Sequence, residues 1–139
     1  MTQIFISKSE QGTRNLARHL LKKVPSGVFC LYGDLGAGKT VFCKGLAEAI
    51  GIPIKKIKSP TYVLIRPYVI TKKKFYHCDF YRIQEPDDIL ASELEEIFSQ
   101  KNAVIAIEWP ERIEKLLPKK RINIYFEYKD AKTRIICTK

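Results

Sequence analysis

Long apolar segments are absent from this 139-residue sequence. No hydrophobic run approaches the ~20 residues that span a bilayer, so the sequence predicts neither a transmembrane helix nor a membrane partner. Residues 1–9 contain no basic leader and no continuous apolar stretch, and we therefore expect a cytoplasmic location. Repeats and low-complexity tracts are also missing, and the length predicts one domain over residues 1–139.

Acidic residues and cysteines are also few. The chain has 15 Asp and Glu against 25 Lys and Arg, which gives a net charge of +10. This excess attracts polyanions such as nucleic acid, although a dispersed, solvated surface explains it equally well.

The cysteines lack the close spacing of a zinc knuckle and lie in apolar segments, so we expect buried, reduced thiols at Cys30, Cys43, Cys78 and Cys137.

Hydrophobic patterning predicts strands that alternate with helices. Residues 28–32 form a continuous apolar run, and residues 103–109 are apolar except for Glu108; both segments are typical of buried strands. Apolar residues at helical spacing occupy residues 39–50, and Pro67 favours an edge position or a bulge for a strand over residues 62–70. We therefore expect an α/β fold of three layers, in which helices flank a central mixed sheet with a parallel core and added antiparallel strands.

A glycine-rich loop of the form G-x-x-x-x-G-K-[ST] occupies residues 33–40, between a predicted strand and a predicted helix. Its glycines allow successive backbone N–H groups to surround phosphate oxygens, and the helix dipole favours the same anion. Lys39 is expected to reach the β- and γ-phosphates of ATP, and the Thr40 hydroxyl to bind Mg²⁺. The alternative is a turn that binds nothing, but the strand and helix around the loop favour a P-loop NTPase fold. The predicted nucleotide-binding residues are Gly33, Asp34, Leu35, Gly36, Ala37, Gly38, Lys39, Thr40 and Val41.

Two acids end predicted strands and are candidates for the catalytic groups that a P-loop requires. Glu108 follows the apolar run over residues 104–107, as in a Walker B strand, and Asp79 ends the run over residues 75–78. We assign Glu108 to the metal and Asp79 to metal support or water activation, although the two roles are interchangeable at this stage. Thr61, in the Ser-Pro-Thr segment after the P-loop helix, is a further candidate to reach Mg²⁺ or the γ-phosphate. Its position alone slightly favours an ordinary turn.

Four motifs together resemble the TsaE (YjeE) family in order and spacing: GDLGAGKT at residues 33–40, SPTY at 59–62, HCDFYR at 77–82 and IEWPER at 107–112. The resemblance covers nearly the whole chain. The segment after residue 82 departs from it, with Ala91 and Ser92 where the family commonly has a glycine. Tyr62 also stands where phenylalanine is common. Neither departure affects a predicted phosphate or metal ligand.

The resemblance implies an ATPase needed for the threonylcarbamoyl modification of adenosine beside the anticodon in tRNAs that read ANN codons. It implies binding to a complex of the partner proteins TsaB and TsaD, through which the chain would contact tRNA. It also implies that ATP hydrolysis resets this complex between turnovers. By similarity, Lys39 and the loop glycines bind the triphosphate, and Thr40 and Glu108 hold Mg²⁺. Thr61 and Asp79 would support hydrolysis.

Two other functions compete with this interpretation. A small-molecule kinase is compatible with a compact P-loop protein, but such enzymes usually need an arginine-rich lid and an acceptor pocket, which the sequence does not indicate. An RNA-binding module that holds ATP only as a structural ligand is favoured by the positive charge. The paired acids Asp79 and Glu108 favour hydrolysis instead.

Overall fold

The structure is a computed structural model that describes residues 2–57 and 63–139. Strands and helices alternate along most of the chain, and two short 3-10 helices cover Ile54–Lys56 and Pro110–Leu116. No helix in these two ranges is long and apolar enough to cross a membrane. The main elements are β1 (Gln3–Ser7), α1 (Glu10–Lys23), β2 (Gly27–Tyr32), α2 (Lys39–Ala49), β3 (Ile65–Ile70), β4 (Lys73–Asp79), α3 (Asp88–Phe98), β5 (Ala103–Glu108), β6 (Ile122–Tyr128) and β7 (Arg134–Thr138).

The strands form one seven-stranded sheet in the order β1-β7-β6-β2-β5-β4-β3. Strands β6, β2, β5 and β4 run parallel to one another, whereas β1, β7 and β3 pair antiparallel with their neighbours. All six residues of β5 are buried, because a central parallel strand is covered on both faces. Pro67 lies in β3 at the edge of the sheet, where its missing N–H costs no ladder hydrogen bond. The predicted mixed sheet is therefore confirmed.

Helices cover the two faces of the sheet and give three layers. Helices α1 and α2 pack on one face, with Leu16 and Phe42 in the same buried cluster as Phe29 of β2. Helix α3 packs on the other face with the 3-10 helix at Pro110–Leu116. At Gly45 of α2, an added Cβ would lie 2.7 Å from the Cα of Arg14 in α1. A side chain there would force the two helices apart, so glycine allows α2 to lie close beside α1.

Local contacts and backbone conformations define the ends of α1 and β5. Ser9 caps α1 by accepting a hydrogen bond from the Gly12 N–H at 2.9 Å. Ser7 still belongs to β1, because it pairs with Arg134 of β7. Strand β5 ends at Glu108 rather than Trp109, since Trp109 adopts a left-handed backbone with φ of 58°. The segment after it winds as a 3-10 helix.

Candidate nucleotide-binding site

The glycine-rich loop joins the carboxyl end of β2 to the first residue of α2, Lys39. Gly36 and Gly38 have φ of 78° and 106°, in the left-handed region that favours glycine. Gly33 has φ of 149°, and a Cβ there would lie 2.7 Å from the carbonyl oxygen of Phe126 in β6. The loop therefore follows a tight path against the sheet edge that side chains at these glycines would obstruct.

The amino end of α2 is open toward the loop. Its cap residue is Gly38, and the described residues supply no side-chain hydrogen bond to this cap and no acidic side chain in the first helical turn. The N–H groups at a helix start carry partial positive charge and need acceptors. Because no carboxylate of the helix itself competes for them, this end of α2 suits an anion such as phosphate.

Lys39 places a nearly buried cation beneath the loop, with only 4% of its surface exposed. Its Nζ donates a hydrogen bond to the Gly33 carbonyl and lies 3.8 Å from the centroid of the Trp109 ring. Burial lowers the pKa of Lys39, and the carboxylate of Glu108 is the strongest of the nearby charges that oppose this shift. The positive charge of Lys39 at this position is consistent with a site for a polyanion.

Glu108, at the end of β5, contacts side chains of both α2 and β4. Its Oε1 and Oε2 lie 3.0 Å and 3.2 Å from the Thr40 hydroxyl, which donates to them. Oε2 also lies 2.6 Å from His77 Nε2 on β4. Glu108 is only 4% exposed, and both of its partners help to hold the carboxylate in one orientation. The predicted metal ligands Thr40 and Glu108 are therefore in direct contact.

Asp79 lies beside Glu108 because β4 and β5 are parallel neighbours whose register pairs these two residues. Its Oδ1 accepts a hydrogen bond from the Tyr81 N–H at 3.0 Å. Burial raises the pKa of Asp79, and the nearby negative charge of Glu108 adds to the rise, whereas the Tyr81 hydrogen bond opposes it. The strand-end acids thus share one edge of the sheet, as expected for parallel strands.

A cavity of about 250 Å³ lies between the loop and the two acids. Trp109 and Tyr81 form part of its wall, with their ring centroids 5.0 Å apart. Ala37 is buried and donates its N–H to the Asp34 carbonyl at 3.2 Å, which fixes the turn of the loop. Thr61 lies outside the described residues. The predicted site residues that line this cavity are Leu35, Gly36, Gly38, Lys39, Thr40, Val41, Asp79 and Glu108.

A larger cavity of about 450 Å³ adjoins the first, since Gly38 and Val41 line both. Its other walls come from the start of α1 and from the turn between β6 and β7. Arg134 lies between this cavity and the loop, and its Nη2 donates to the Gly36 carbonyl at 3.0 Å. The remaining lining residues are Lys8, Ser9, Glu10, Thr13, Ala131 and Lys132.

Sequence comparison identifies the family. A model of the family described as "Threonylcarbamoyl adenosine biosynthesis protein TsaE" matches residues 7–136. The chain belongs to the TsaE family. The tRNA threonylcarbamoyladenosine biosynthesis protein TsaE of Borreliella burgdorferi is 38% identical over 116 residues, which are 83% of this chain and 83% of that protein. The protein of the same name from Bacillus subtilis is 41% identical over 100 residues, 72% of this chain and 61% of that protein.

A solved structure agrees with this assignment. The crystal structure of Bacillus subtilis YdiB superposes with a TM-score of 0.79 and 29% sequence identity, over 99% of this chain and 84% of that one. The α/β P-loop fold and the resemblance to TsaE, both expected from the motifs, are thereby confirmed.

Several residues of this TsaE-family site were not expected from the motifs. Arg134 contacts the loop and Ala131 lines the adjoining cavity only because β7 pairs with β6, which pairs with β2. No short-range pattern indicates that order. Trp109 is a further residue of this kind, and its left-handed backbone brings the ring beside Lys39. A tryptophan directly after a predicted strand end was the available signal.

Proposed function

We propose that this chain is a Mg²⁺-dependent ATPase that supports threonylcarbamoyl modification of adenosine in ANN-decoding tRNAs. One observation carries the proposal. Lys39, Thr40 and Glu108 line a single cavity at a glycine-rich loop, in a chain that belongs to the TsaE family. A phosphate-binding lysine, a hydroxyl and a carboxylate are the groups that P-loop hydrolases use.

The residues present fit ATP and Mg²⁺. Magnesium prefers oxygen ligands and is usually held by one or two carboxylates together with substrate phosphates. Thr40 and Glu108 supply a hydroxyl and a carboxylate within 3.0 Å of each other. The open start of α2 supplies N–H donors for the phosphates. When bound, Mg²⁺ would be held by Thr40 and Glu108 and would offset the negative charge that develops on the phosphates during hydrolysis.

Each of the predicted site residues has a distinct task in this proposal. Lys39 and the loop N–H groups bind the triphosphate, and Thr40 and Glu108 hold the metal. The direct Thr40–Glu108 contact favours Glu108 over Asp79 for that task. Asp79 orients the attacking water, because one of its oxygens is fixed by Tyr81 and the group lines the same cavity. Thr61 supports hydrolysis by family resemblance alone.

The nucleoside of ATP is assigned to the larger cavity. A volume of about 450 Å³ falls within the range of small-molecule sites, ~300–1,000 Å³. Because this cavity shares Gly38 and Val41 with the phosphate cavity, one ligand can occupy both. Arg134 stabilises the boundary between them through its hydrogen bond to the Gly36 carbonyl.

Substitution of Ala131 tests the nucleoside assignment, since this exposed turn residue lines only the larger of the two cavities. Ala131→Trp is expected to weaken ATP binding about 5- to 150-fold, because overfilling a formed cavity costs ~1–3 kcal/mol. Binding of inorganic triphosphate should be unchanged. Calorimetric titration with both ligands measures the two affinities. Lys129→Trp, in the same turn, is the matched control, and an equal loss for both ligands would contradict the assignment.

A reconstituted modification reaction tests the pathway. TsaB, TsaD, tRNA and the threonylcarbamoyl donor are incubated with or without this chain, and modified adenosine and released phosphate are measured together. We expect more than one modification per TsaD only when both the chain and hydrolysable ATP are present. Repeated turnover without the chain would remove the pathway assignment while leaving the ATPase intact. Transfer of phosphate to a metabolite instead of water would favour the kinase alternative.

A further inference from the structure

Three potential metal ligands of different chemistry meet beneath the phosphate cavity. Cys43, His77 and Glu108 each offer one ligand atom, and the three atoms lie within 4.8 Å of one another. They come from α2, β4 and β5, respectively. Cys43 and His77 are fully buried and Glu108 is 4% exposed, so this is not an ordinary group of surface acids.

The proposed ATPase gives no role to Cys43 or to the Nδ1 atom of His77. Cys43 has no task in phosphate or magnesium binding, although its thiol faces the charged groups of the site. Within residues 2–57 and 63–139, no hydrogen-bond partner is found for His77 Nδ1. A buried polar atom without a partner is unusual in a native structure and calls for a physical explanation.

The donor set suits a different ion from magnesium. Sulfur and imidazole ligands favour zinc and related transition metals, whereas Mg²⁺ requires oxygen. A thiolate and a carboxylate together carry the charge that one divalent cation neutralises. Four-coordinate zinc, with bonds of ~2.0–2.3 Å, keeps its ligand atoms roughly 3.5 Å apart. Because the ligand atoms lie within 4.8 Å of one another, a shift of about 1 Å brings the widest pair to this spacing. His77 Nε2 and Glu108 Oε2, at 2.6 Å, have to separate by about 1 Å.

We propose that Cys43, His77 and Glu108 bind one zinc-type divalent cation in the nucleotide-free protein. Binding forms a metal–sulfur bond and releases the Cys43 thiol proton to solvent. The ion enters through the 250 Å³ phosphate cavity, which Glu108 lines. Because Glu108 also contacts Thr40, the ion competes with magnesium nucleotide for this carboxylate. The competition rests on the proposed ATPase function, whereas binding of the ion itself does not.

Cadmium titration of the nucleotide-free chain provides the test, because a cadmium–thiolate bond gives an ultraviolet charge-transfer band. We expect one band-forming Cd²⁺ per chain, and equimolar Zn²⁺ should displace it. Cys43→Ala should abolish the band and weaken Zn²⁺ binding at least about tenfold, the loss seen when even outer-shell partners of a metal ligand are removed. His77→Gln should weaken Zn²⁺ binding while the band of the remaining thiolate shifts.

Cys78→Ala is the matched control, since Cys78 is equally buried in β4 but belongs to the core on the opposite face of the sheet. The control should keep both the band and the zinc affinity. Circular dichroism and thermal unfolding verify that the variants are folded. No band in the unmodified chain, or a band that survives Cys43→Ala, would overturn the proposal. These readouts use no nucleotide, so failure of the ATPase assignment would not change them.

A competition experiment then tests the functional consequence. Zn²⁺ should weaken ATP binding in the unmodified chain and have a smaller effect in Cys43→Ala. If cadmium and zinc bind as expected but do not change the affinity for ATP, competition with magnesium nucleotide is excluded. The metal site itself is then still supported.

Discussion

Replacing Lys39 with alanine is expected to weaken ATP binding about 30- to 5,000-fold. Lys39 is almost fully buried and its Nζ lies against the loop carbonyl of Gly33 and the ring of Trp109. A phosphate that binds there meets a desolvated positive charge. Loss of one partner from such a buried, hydrogen-bonded charge pair costs ~2–5 kcal/mol, which converts to the stated range of affinity.

Calorimetry or a fluorescent ATP analogue measures this loss. Lys44→Ala is the matched control, because it removes the same charge from the same helix one and a half turns beyond the loop. We expect the control to bind ATP within about twofold of the unmodified chain, as screened charges at this distance contribute little. Thermal unfolding checks that Lys39→Ala remains folded. If both lysine variants lose affinity equally, general positive charge rather than a phosphate contact explains the binding.

The sequence predicts those parts of the site that depend on residues close together in the chain. The glycine spacing of the loop motif predicts the loop's backbone conformation. Glu108 and Asp79 each follow an apolar run, which predicts that they end strands, and parallel pairing then places them at the same edge of the sheet. Their mutual register, residue for residue, does not follow from the pattern. It depends on β4 and β5 being neighbours, which no short segment specifies.

The parts that the sequence does not predict depend on long-range contacts. The cavity assigned to the nucleoside combines the start of α1 with the turn before Arg134, more than a hundred residues later. Cys43, His77 and Glu108 lie 34 and 31 residues apart in sequence, so a search for closely spaced metal ligands misses them. The backbone of Trp109 is a further case. A left-handed conformation costs a non-glycine residue of order 1–3 kcal/mol and persists only where surrounding contacts impose it.

Glu108→Gln is expected to lower ATP turnover roughly a hundredfold while changing ATP affinity little. The amide has nearly the same shape as the carboxylate and can still bond to Thr40 and His77, so the local packing is kept. The negative charge that holds the metal is lost. Metal stabilisation of transition-state charge is worth several kcal/mol, and loss of ~3 kcal/mol lowers a rate by about two orders of magnitude.

Turnover and affinity measured across a range of Mg²⁺ concentrations separate the roles of the two acids. If Glu108 holds the metal, Glu108→Gln should require more Mg²⁺ for half-maximal turnover, whereas Asp79→Asn should lower turnover at every Mg²⁺ concentration. Glu111→Gln is the control, because Glu111 is an exposed acid in the 3-10 helix that follows β5. Should Asp79→Asn alone raise the Mg²⁺ requirement, the two assignments are exchanged. An equal fall of affinity and turnover in Glu108→Gln would instead mean that Glu108 stabilises bound ATP as much as the transition state.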